Sequence, residues 1–100
     1  MSQPVVLRRL ALLDVVAAHE WYEAQRLGLG AEFETVVDAA VERIGRDPDA
    51  YEVVEPGRGV RRTLTRRFPY ALYYLAEPDR LVVIAVLHVG RDPSRWRSRP

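Results

Sequence analysis

Apolar positions in this chain change period near its middle, and that change sets the expected architecture. Phe33, Val36, Val37, Ala40, Val41 and Ile44 recur at i, i+3, i+4, i+7, i+8 and i+11, while Glu32, Glu34, Asp38, Glu42 and Arg43 take the other side. This is the spacing of an amphipathic helix. Asp47-Pro48-Asp49 ends it, because a proline disfavours helix at the residue before it. An earlier helix is predicted from about Leu10 to Gln25, with Leu13, Ala17, Trp21 and Ala24 on one stripe, Leu10 and Val16 flanking it, and Asp14 and Glu23 turned away. Gly28-Leu29-Gly30 breaks that helix, Gly28 serving as its C-terminal cap. Two helices on so short a link form an antiparallel hairpin. Trp21 and Phe33 are expected in the core, and His19 in solvent.

Beyond Gly59 the period falls to two. Val60 to Arg67 is expected as a strand with polar residues on both faces, and so near a sheet edge. Tyr70 to Leu75 and Leu81 to Leu87 read as a hairpin across a Glu77–Arg80 turn. The last of these strands is apolar on both faces, the pattern of a central strand covered on both sides. Pro4 to Arg9 is a short first strand, and Tyr51 to Gly59 a loop with a turn at Glu55-Pro56-Gly57 and room for a short strand at Glu52–Val54. The expected class is α+β, a β-α-α-β-β-β order with the helical hairpin on one face of a small, mostly antiparallel sheet. Helices there leave the other face of the last strand bare. Either the polar tail, SRWRSRP, folds back over it with Trp96 as the cap, or a partner covers it.

Length bounds the chain at one domain, residues 1–100. There is no cysteine, so thiolate chemistry is excluded, and with two histidines far apart no dedicated zinc site is expected and no cofactor is implied. Nothing resembles a signal peptide or approaches a membrane span, so the expected location is the cytoplasm, away from membranes. The net charge of +1 conceals −4 over residues 1–50 and +5 over residues 51–100, and every basic residue is Arg. A basic half points to an anionic partner. Arg61, Arg62, Arg66 and Arg67 fall within seven residues, which repel unless an anion lies across them. His88 and Arg91 follow the buried strand to the surface, where active sites often lie. His88 reads equally as an acid or base and as a strand-end histidine with one nitrogen bonded to backbone. Arg91 reads as an anion contact or as a surface pair with Asp92.

The element order, with Arg61-Arg62, Arg67-Phe68-Pro69-Tyr70, Leu72-Tyr73-Tyr74, Val86-Leu87-His88, Arg91-Asp92-Pro93 and Trp96, resembles the RelE/ParE superfamily of bacterial type II toxin–antitoxin systems. The likeness is closest to the ParE, or plasmid-stabilisation, branch. It implies a cytoplasmic toxin neutralised by a cognate antitoxin from the adjacent gene. ParE-like members inhibit DNA gyrase by binding, and RelE-like members cut messenger RNA in the ribosome. The ribonucleases carry an Arg just after the third-strand Tyr, where this chain has Ala71, and lysines on the preceding strand, where it has none. The resemblance therefore favours gyrase inhibition over an enzyme. Arg61, Arg62, Arg66, Arg67, His88, Arg91 and Trp96 are the target-contact candidates. If the chain is a ribonuclease, His88, Arg91 and Arg61 are the catalytic candidates. A degenerate binding module without toxicity is the third alternative.

Overall fold

The computed structural model describes residues 3–91 and 93–100. Its elements run β1 (Val5–Leu7), α1 (Arg9–Gln25), α2 (Leu29–Arg46), β2 (Glu52–Glu55), β3 (Val60–Leu64), β4 (Tyr70–Ala76), β5 (Leu81–His88) and a short 3-10 turn at Arg95–Ser98. The sheet order is β1-β5-β4-β3-β2. β1 runs parallel to β5, and every other pairing is antiparallel. This is the expected α+β architecture, with β2 formed as a fifth strand. Because β2 holds the edge, β3 is second from it. β3 also stops at Leu64, so Arg66 and Arg67 lie in the turn that follows, where Arg67 takes φ 72°.

β4 and β5 form the centre of the sheet, and each has two buried faces. Tyr70, Leu72 and Tyr74 point to one side, and Ala71 and Tyr73 to the other. On β5, Leu81, Val83 and Val86 join the first face, while Val82, Ile84, Ala85 and Leu87 join the second. Strict alternation fails at Ile84–Ala85 because the register shifts there: Tyr74 pairs with Val83, but Tyr73 pairs with Ala85. A bulge inserts one residue, and side chains beyond it change sides. The helical hairpin covers the first face. Val60 and Trp96 close the second, where Trp96 is 2% exposed and stacks on Tyr73 with ring centroids 5.3 Å apart. The C-terminal tail is therefore the second cover that the doubly apolar strand requires.

α2 buries the expected positions, with Phe33, Val37, Ala40 and Ile44 inside. α1 does not. Its buried residues are Ala11, Val15, Ala18 and Tyr22, and the predicted stripe faces outward, with Leu13 at 47% and Trp21 at 49% exposure. Apolar residues surround this helix almost completely, so period alone does not select a face. Packing selects the side carrying the small Ala11 and Ala18, which lets the helix lie close to its neighbours.

The interhelical link is tighter than the glycine pattern suggested. α2 starts at Leu29, which places Gly30 inside the helix, where an added Cβ would lie 2.8 Å from the His19 backbone oxygen. Only a glycine permits that approach. Glu23, expected to point away, instead accepts hydrogen bonds from the Gly28 and Gly30 amides at 2.8 and 2.9 Å, groups at the N-terminus of α2 that have no partner within the helix. Those two amides hold its carboxyl below the usual carboxylate range. A lowered folded-state pKa means stability that is present above the ordinary carboxylate range and lost as pH falls through the folded value. Glu23→Gln is expected to flatten the acid side of the stability–pH curve, read from thermal melts between about pH 3 and about pH 7, which span the carboxylate range. An unchanged acid limb would show that this cap contributes nothing.

Asp14 was also expected to face water, and it too is structural. Its carboxylate accepts from both terminal nitrogens of Arg99, at 2.5 and 3.0 Å, and from the Val86 amide at 3.0 Å. Arg99 in turn donates to the Ile84 carbonyl at 3.1 Å. β1 pairs with β5 only over Leu81–Val83, so the rest of that edge lacks a strand. Asp14 and Arg99 supply side-chain partners there instead.

Candidate functional site

Where β5 reaches the surface, residues of α1, the start of β4, the end of β5, Arg91 and Arg95 line a cleft of about 210 Å³. Asp14, Trp21, Tyr70, His88, Arg91 and Arg95 supply its chemistry. Sites for drug-sized ligands usually span roughly 300–1,000 Å³. This one accommodates a side chain or a single small anion.

Four side chains define its working wall. The Arg91 guanidinium lies 5.7 Å from the centroid of the half-exposed Trp21 ring, and its Nη2 is 3.4 Å from the Tyr70 hydroxyl. Such a cation over an indole is held by the ring's negative face. Tyr70 meets the His88 ring edge-on at 5.4 Å. His88 Nδ1 accepts hydrogen bonds from the Gly90 and Arg91 amides at 3.0 and 3.2 Å. An acceptor Nδ1 puts the neutral ring's proton on Nε2. The basic lone pair of the ring is thus already used. Asp14 lies at the inner side with its carboxylate committed to Arg99 and Val86.

Two core tyrosines that do not line this cleft have raised pKa values. Burial pushes the Tyr22 phenol up, opposed by the charge of Arg91, and burial also pushes the Tyr74 phenol up to about 12. The Tyr74 hydroxyl is moreover bonded to the Pro48 carbonyl at 2.6 Å. Among the described residues, no group of His, Cys, Asp and Glu could hold a metal ion. Among those residues, too, no helix is long and apolar enough to cross a membrane.

The arginine-rich segment does not join this site. Arg61 and Arg62 lie on opposite faces of β3, opposite Tyr74 and Tyr73 respectively. Arg61 donates to the Tyr51 and Asp49 carbonyls at 2.7 and 3.1 Å, and Arg62 to Glu52 at 3.0 Å. Arg67 pairs with Glu32 at 2.9 Å, and that contact, with a second from Arg26, holds the Glu32 carboxyl low. Arg66 is exposed beside a separate groove shared with Arg43 and Arg62. Three of the four charges have partners within the chain, so their crowding does not require an external anion. Arg61 and the His88–Arg91 pair, grouped as catalytic candidates, do not line a common cleft. Trp96, a target-contact candidate, is buried in the second core and is not available as a surface anchor. The suggested Arg91–Asp92 pair involves a residue outside those described.

Sequence reasoning missed Asp14, Trp21, Tyr70 and Arg95 as members of the cleft. The available signal was the strength of the α1 pattern: a helix apolar on every side must expose some of it, and Trp21 is on the exposed side.

No family model matches the sequence, and no curated protein matches it either. Among solved structures, a chain of one described as the chromosomal ParDE TA system from P. aeruginosa superposes with a TM-score of 0.65, covering 87% of this chain and 96% of that one at 14% identity. The chain shares the fold of that ParDE component, a helical hairpin packed on a mostly antiparallel sheet.

Proposed function

We propose that this chain is a single-domain, cytoplasmic toxin of a type II toxin–antitoxin system, kept inactive by a cognate antitoxin, and that it inhibits DNA gyrase by binding. The observation that carries the first part is the fold shared over nearly all of both chains with a ParDE system component. Support for binding over catalysis comes from the cleft. Cleavage of RNA at a 2′-hydroxyl needs a base, an acid and cations on the phosphate. His88 has its lone pair occupied by two backbone amides. Ala71, where the resemblance places an Arg in the ribonucleases, is fully buried in the second core among Tyr73, Ile84 and Trp96. An Arg there would be inside the protein and not beside a scissile bond.

Expression of this chain alone is expected to arrest growth, and purified chain to inhibit supercoiling by purified gyrase. Arrest with gyrase untouched at high excess, and message cut at ribosomal A sites, would replace this reading with the RelE-like one. Normal growth would favour a binding module without toxicity.

A further inference from the structure

We propose that His88 is the positioning residue of the cleft, holding the 88–91 turn through Nδ1 so that Arg91 is presented there as the contact for a single oxyanion, carboxylate or phosphate. The argument starts from the turn. β5 ends at His88, and within three residues the chain must reverse and place a cation back over α1. One imidazole nitrogen satisfies two successive amides, Gly90 and Arg91. Gly90 packs against that same ring, where an added Cβ would lie 3.2 Å from His88 Cε1. The backbone of Arg91 is thereby fixed directly, and its side chain is fixed by Trp21 and Tyr70.

The charged side chains among the described residues lining this cleft are Arg91, Arg95 and Asp14. Asp14 is already neutralised by Arg99 at 2.5 Å. Arg91 is held at this point against the Trp21 ring, in a volume suited to one small anionic group. A residue that anchors backbone through its lone pair is no base, so this role and proton transfer make opposite demands on His88.

The test uses three variants of the full chain and neither gyrase nor antitoxin, so it stands or falls separately from the proposed function. Asn at position 88 can accept from the two following amides through its side-chain oxygen, but it cannot carry a proton. His88→Asn is expected to keep Gly90 and Arg91 amide exchange near the parent rate, while His88→Leu speeds it roughly tenfold, the factor for one lost hydrogen bond. Acetate and inorganic phosphate, titrated at constant ionic strength, are expected to shift the Arg91 and Trp21 indole signals saturably in the parent and in His88→Asn. In His88→Leu the apparent affinity should fall by about the same factor. Arg91→Ala should abolish the shift with the fold intact. Which anion saturates first distinguishes a carboxylate site from a phosphate site. No saturable shift with either anion, or His88→Asn behaving like His88→Leu, overturns the proposal. Thermal melts of each variant separate unfolding from loss of the site.

Discussion

Asp14→Ala is expected to destabilise the protein by about 3–5 kcal/mol, the range for removing one partner of a buried ion pair. The pair is 8% and 10% exposed, bidentate, and ties three distant parts of the chain together: α1, the bulge of β5 and the C-terminal residue before last. Truncation leaves the Arg99 charge in a site with only the Ile84 carbonyl and leaves the Val86 amide without an acceptor. Urea unfolding read by circular dichroism measures the loss. Replacing both residues together, Asp14→Leu with Arg99→Met, is expected to recover much of it, because a packed apolar pair carries no desolvation penalty. A loss under ~1 kcal/mol for the single variant would mean that the tail swings into water and the pair is ornamental to the fold, as most exposed pairs are.

Trp96→Ala is expected to cost a comparable ~3–5 kcal/mol, the cost of emptying a buried aromatic site. The indole stacks on Tyr73 at an interplanar angle of 16°, and its Nε1 donates to the Pro93 carbonyl at 3.0 Å. Removing it uncovers Ile84, Ala85 and Leu87, the second face of the central strand. Trp96→Phe should restore most of the stability, since the stacking and area are largely kept while one hydrogen bond is lost. The same pair of variants decides between cover and contact. A residue used only to bind a target would leave the melting midpoint unchanged on truncation, and binding would fall.

How far the sequence could be read depended on how many solutions each pattern allowed. α2 carries its charges, Glu34 and Asp38 among them, on one side, so only the other face could be buried, and Phe33, Val37, Ala40 and Ile44 are inside as the period requires. α1 allowed several faces, and the stripe through Leu13 and Trp21 was the wrong one. The arginine run was legible as a charge excess and not as a site, because adjacent strand residues point to opposite faces and local carboxylates and carbonyls were near enough to pair with them. The cleft itself joins α1 to residues seventy positions away. No spacing along the chain encodes that.

The sequence by itself determined the element types and their order apart from the edge strand β2, the helical hairpin, the central doubly buried strand and the need for a second cover, because periodicity and turn chemistry act over a few residues. Tertiary structure alone decided which side of α1 is buried, where the bulge in β5 reverses its faces, and that Asp14 meets Arg99. It also decided that His88 spends its lone pair on the turn that carries Arg91. Each of these is a choice among locally equivalent options, settled by close packing and by the requirement that buried polar groups find partners.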